Sequence, residues 1–95
     1  MAVYVDAGKN PFGRMVMCHM LADSLLELHE MADKLGLKRS WFQQTSTPHY
    51  DVCQSKRKAA VALGAKEIDR NQVVALIRYW REQKTKISES YTAAK

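Results

Sequence analysis

Three stretches of this chain repeat apolar residues at helical spacing, each bounded by capping or turn residues, and short β-prone segments stand before or between them. That alternation limits the fold more than any other feature of the sequence. Ser24-Leu25-Leu26-Glu27 fits a capping box, in which the hydroxyl and the carboxylate satisfy opposite orphan amides at a helix start. Leu25, Leu28, Ala32 and Leu35, with Met31 beside them, then follow the three-to-four spacing of one helical face, and Gly36 supplies a left-handed cap. Asp51 or Ser55 can cap a second helix carrying Ala59 to Leu63 and stopping at Gly64. Asp69 to Gln72 can box a third, with Val73, Val74, Ile77, Trp80 and Leu76 as its core candidates.

Ala2-Val3-Tyr4-Val5 reads as a first strand ending at Asp6, followed by a turn-rich loop with Gly8, Asn10, Pro11 and Gly13. Trp41-Phe42-Gln43 reads as a second strand and Ala65 to Ile68 as a weak third. Strands alternating with helices favour a parallel sheet with right-handed crossovers. The expectation is a small α/β domain of two or three layers, with a parallel sheet of about three strands and three helices. It spans residues 1–87, followed by a flexible tail over 88–95.

Ninety-five residues support one core. With 46% hydrophobic and 26% charged residues the chain has the composition of a globular domain. No segment approaches the roughly 20 apolar residues of a membrane span, and no secretory leader pattern opens the chain, so a cytoplasmic location is expected. Cys18 and Cys53 make no disulfide framework and read as free thiols. The net charge of +5 is uneven: residues 1–55 carry five Lys/Arg against six Asp/Glu, and residues 56–95 carry ten against four. A basic half attracts anions, and it also serves solubility.

In a parallel sheet, ligands sit beyond the carboxyl ends of the strands. Asp6 falls there, either as a functional carboxylate or as a turn cap. His49-Tyr50-Asp51 reads as a loop after a strand and before a helix, where three hydrogen-bonding groups can converge on a ligand, or Tyr50 can pack and Asp51 cap. His19 precedes Asp23 by four residues, a pairing suited to a general base and its orienter, or to a carboxylate at a helix N-terminus. His29 reads as a flank residue of the first helix. Ser55-Lys56-Arg57-Lys58 places three cations where the helix dipole opposes them, which suggests an anionic ligand or partner, or else a solvated face.

The glycines between Gly8 and Gly13 match neither a dinucleotide fingerprint nor a phosphate-binding P-loop. Cys18, His19, His49 and Cys53 are zinc-compatible types without standard spacing, so neither a metal nor a cofactor is expected. Trp41 and Trp80 can stack on a base but read more simply as core aromatics.

Several of these residues carry a family resemblance. Val-Tyr-Val-Asp at the start, Gly13-Arg14, His19-Met20, Ala22-Asp23, Glu27-Leu28, His49-Tyr50-Asp51, Ser55-Lys56-Arg57 and Gly64-Ala65 resemble the bacterial and phage family called domain of unknown function four thousand and thirty-one, over roughly residues 2–80. The resemblance implies that Asp6, His19, Asp23, His49, Tyr50 and Asp51 belong together. Similar proteins sometimes carry the label of an ADP-ribosyl-dinitrogen-reductase hydrolase, an enzyme with a large all-helical, metal-binding architecture that this short chain lacks.

The expectation is a small enzyme or binding domain, a hydrolase if catalytic, for an anionic small molecule: a phosphate-bearing metabolite or nucleotide, ADP-ribose included. His19 or His49 is the general base, Asp23 or Asp6 its orienter, and Arg14, Lys56 or Arg57 the anion clamp, with Tyr50, Asp51 and Ser55 as further ligand contacts. The alternative is a non-catalytic phage-type accessory protein that binds nucleic acid or a host protein through its basic C-terminal half. Homo-oligomerisation is compatible with either, and no membrane association is expected.

Overall fold

A computed structural model of the chain describes the backbone of residues 2–93 and the side chains of residues 2–83. Its strands are β1 (Val3–Val5), β2 (Asn10–Phe12), β3 (Met15–Ala22), β4 (Phe42–Gln43), β5 (His49–Cys53) and β6 (Lys66–Glu67), and its helices α1 (Leu25–Lys34), α2 (Gln54–Ala62) and α3 (Arg70–Ala93). The tail expected over residues 88–95 lies outside the residues whose side chains are described.

The domain is α/β, and its six-stranded sheet is mixed. The order is β4-β5-β3-β1-β6, with β2 also paired to β3. Among the described residues only β1 and β6 run parallel, while β3 runs antiparallel to β1, β2 and β5, and β4 antiparallel to β5. This corrects the parallel sheet of about three strands. The difference originates in Met15–Ala22, the longest strand, which sequence reading left between a loop and the first helix. Its Met, Cys and His residues carry a weaker β signal than Val, Ile or Tyr. The strand forms because Gly13, at φ +61°, turns β2 back into it and because both of its flanks find backbone partners.

Three layers result. Val3, Val5, Cys18, Met20, Tyr50 and Val52 on one sheet face pack against Leu28, Met31 and Ala32 of α1 and Ala60 of α2. On the other face Leu21 and Tyr4 meet Leu76 and Val73 of α3. Val74, expected in the core, is 40% exposed. Half of the Ser24 box forms as read, its Oγ accepting from the Glu27 amide at 3.3 Å, while the Glu27 carboxylate accepts from the Ser24 hydroxyl at 2.9 Å. The box at α3 forms in full, Asp69 and Gln72 exchanging bonds of 2.9 and 3.0 Å. Trp80 Nε1 donates to the Ala22 carbonyl and Tyr79 OH to that of Asp23, both at 2.9 Å. These bonds pin α3 over the end of β3. Among the described residues no helix is long and apolar enough to cross a membrane.

Candidate functional site

The pairing of β3 with β5 sets His19 opposite Asp51, with Met17 opposite Cys53 and Cys18 opposite Val52. Side chains alternate along a strand. Cys18, Met20, Tyr50 and Val52 therefore enter the core, while His19 joins His49 and Asp51 on the opposite face, all three partly buried. The His49 triplet is thus a strand rather than the expected loop. The alternation divides its members: His49 and Asp51 point one way and Tyr50 the other.

Asp6, 8% exposed, stands at the end of β1 and fixes His19. Its Oδ2 accepts from His19 Nδ1 at 2.8 Å, and its Oδ1 accepts from the backbone amides of His19 at 2.9 Å and Gly8 at 3.1 Å. Burial opposes ionisation of Asp6, but the His19 amide, the His19 ring and the Gly8 amide together outweigh it and hold the carboxyl below its ordinary range. His49 is fixed separately, its Nδ1–H donating to the Thr47 carbonyl at 2.9 Å. A carbonyl and an ionised carboxylate only accept, so both imidazoles carry a proton on Nδ1, and the neutral tautomer of each directs its Nε2 lone pair outward.

Those lone pairs converge. His19 Nε2 lies 3.7 Å and His49 Nε2 3.6 Å from Asp51 Oδ1, and the rings meet edge to face with centroids 5.1 Å apart. Both separations are too long for hydrogen bonds. His19 and Asp51 line an open groove of about 580 Å³ whose walls include Phe12, Met15, Trp41 and Lys56. Trp41, read as a core aromatic, is 48% exposed, with Lys38 Nζ 5.6 Å from its ring centre. His19 and His49 also border a smaller depression beside Val73 and Ile77 of α3.

Several expected site residues stand elsewhere. Asp23 accepts from Tyr4 OH at 3.0 Å and lies four residues from His19, about 13 Å along an extended chain, so Asp6 is the orienter that His19 has. Tyr50 is fully buried and shares a 2.9 Å hydrogen bond with His29 Nδ1, which makes it a core residue and His29 its partner rather than a simple flank. Arg57 donates to the Asp6 carbonyl at 2.9 Å and to Glu67 at 2.8 Å, bracing β1, α2 and β6. Lys56 donates to the Leu35 carbonyl at 2.7 Å, where a cation suits the C-terminus of α1. These contacts supply a structural reason for cations at the start of α2. Lys56 still borders the groove.

Ser55 contacts the Cys53 thiol at 3.2 Å, and Asp51 precedes α2 without capping it, since Cys53 holds the cap position. Arg14 is exposed in the β2–β3 turn, five residues or about 16 Å of extended chain from His19. The zinc-compatible set weighed from sequence does not assemble, because Cys18 faces the core. Two contributors carried no sequence signal: the Thr47 carbonyl, which is backbone, and Gly8, whose added Cβ would lie 3.1 Å from Asp6 Oδ1.

The chain belongs to a family described as protein of unknown function (DUF4031), whose sequence profile matches residues 3–79. That span contains Asp6, His19, His49 and Asp51. Comparison with curated proteins and with solved structures finds no match in either.

Proposed function

We propose that this domain binds a phosphate-bearing metabolite or nucleotide in the groove beside His19 and Asp51, and that the site is equipped to hydrolyse it. The observation that carries this reading is the convergence of two oriented Nε2 lone pairs and a carboxylate at an open groove. Lewis bases so placed hold a water, take its proton and direct its oxygen at phosphorus as the leaving oxygen departs. A flat group such as a base has an exposed partner in Trp41. The net charge of +5 favours an anion.

The test is a panel of nucleotides, sugar phosphates and ADP-ribose, measured for binding and for turnover. At least one compound should bind or turn over, and His49→Ala should abolish the effect while circular dichroism stays unchanged. Silence across the whole panel sinks the reading. The alternative, nucleic-acid binding through basic residues, loses two of its candidate cations to internal partners, Lys56 to Leu35 and Arg57 to Asp6 and Glu67. Salt-sensitive binding of DNA or RNA that survives His49→Ala would favour it.

A further inference from the structure

We infer that His19 Nε2, His49 Nε2 and an Asp51 carboxylate oxygen form a binding site for one divalent transition-metal ion of the zinc class. The inference concerns the resident chemistry of this face and holds whether or not the groove accepts a phosphate compound. It replaces the sequence expectation that no metal is held.

Each imidazole commits its Nδ1–H, His19 to Asp6 and His49 to the Thr47 carbonyl. In their neutral tautomers the two rings and the carboxylate present three electron-pair donors to one another, their ligand atoms all within 4.8 Å. Such a set attracts a cation, and a metal ion competes with protons for the two nitrogens. The Nδ1 partners are those a ligating histidine ordinarily has, a carboxylate or a backbone carbonyl that fixes the tautomer and makes the other nitrogen more basic.

Spacing agrees. With bonds of about 2.1 Å, tetrahedral ligand atoms lie about 3.4 Å apart, and the carboxylate oxygen is 3.6 and 3.7 Å from the two nitrogens. A movement of a few tenths of an ångström by the partly exposed Asp51 closes those two edges, and the two nitrogens, within 4.8 Å of each other, close the third by turning their rings, a shift of at most about 1.4 Å. Two imidazoles and one carboxylate suit zinc-class ions, whereas magnesium and calcium prefer all-oxygen sets. Two ligands sit opposite each other on adjacent paired strands and the third begins β5, so the backbone ladder preorganises all three. Three protein ligands leave a coordination position for water or substrate, and the groove opens beside it.

Untagged protein stripped by a chelator and titrated with Zn²⁺ should bind one ion per chain, with Mg²⁺ binding at least about 100-fold more weakly. His19→Ala and His49→Ala should each weaken Zn²⁺ binding by about 100-fold or more, and Asp6→Asn, which reaches the ion only through His19, by about 10- to 100-fold. Cys53→Ser should change nothing. Should a histidine variant fail to fold, nitrogen chemical shifts of the wild-type imidazoles give a direct reading: Zn²⁺ should move the Nε2 signals of His19 and His49 and leave His29 in place. Absence of stoichiometric binding, binding that survives the double histidine variant, loss on Cys53→Ser, or unmoved Nε2 signals would each overturn the site. None of these readouts uses a nucleotide, so a silent ligand panel and a failed metal titration are separate results.

Discussion

At the scale of single residues, Asp6 is the most heavily used side chain of the candidate site. It receives a ring N–H and two backbone amides, and Gly8 approaches so closely that a methyl group there would press on its carboxylate. The two thiols show how one strand position changes chemistry. Cys18 is fully buried, and burial, with the nearby Asp6 charge, pushes its thiol up to about 11. Cys53 is partly exposed, and the Ser55 hydroxyl, helped by the Lys56 amide, lowers its pKa. Thiolate is the reactive form. Iodoacetamide near neutral pH should therefore label Cys53 well before Cys18, as peptide mass spectrometry can follow, and preferential labelling of Cys18 would contradict this packing.

At the scale of elements, the helices were legible because their signals are local. The Ser24 cap, Gly36 at φ +73° and the Asp69–Gln72 box occur as read, whereas α2 is capped at Cys53 rather than at Asp51 or Ser55. The Ser24 cap gives a measurable expectation: Ser24→Ala should lower unfolding free energy by about 1 kcal/mol in urea titrations, since the Glu27 amide loses its acceptor. A null effect would mean that solvent replaces the cap without loss. Strand β3 was not legible in the same way. Its residues become a strand through pairing with β1, β2 and β5, and no window of local sequence contains those partners.

At the scale of the whole molecule, layers of buried and half-buried groups make stability depend on pH. His29 bridges α1 and the sheet, sharing a hydrogen bond with Tyr50 and packing edge-on against Phe42 with ring centres 4.7 Å apart. Burial, with the Arg39 charge adding to it, holds its ring below the ordinary 6.5. As pH falls the unfolded ring takes its proton first, so the stability contributed by this group is fully present above about pH 6.5 and is lost as pH drops through the lower folded value. The His29 ring protons should titrate by NMR with a midpoint below 6.5, and the urea midpoint should be lower at about pH 5.5 than at about pH 7.5. A His29 midpoint above 6.5 would reverse the sign.

By itself the sequence determined that this chain is a small α/β domain with three helices near the positions read, and it placed Asp6, His19, His49 and Asp51 among ten candidate site residues. The helices are matters of periodicity and caps, which act over a few neighbours along the chain. Only the tertiary structure decided that β3 lies at the centre of a mixed sheet, that Asp6 rather than Asp23 orients His19, and that Tyr50, Lys56 and Arg57 serve the scaffold. The reason is strand alternation combined with register: a shift of one residue between β3 and β5 would send a histidine into the core and a cysteine outward. That register depends on contacts between segments about thirty residues apart, which brings His19 opposite Asp51 and makes two distant stretches of sequence one site.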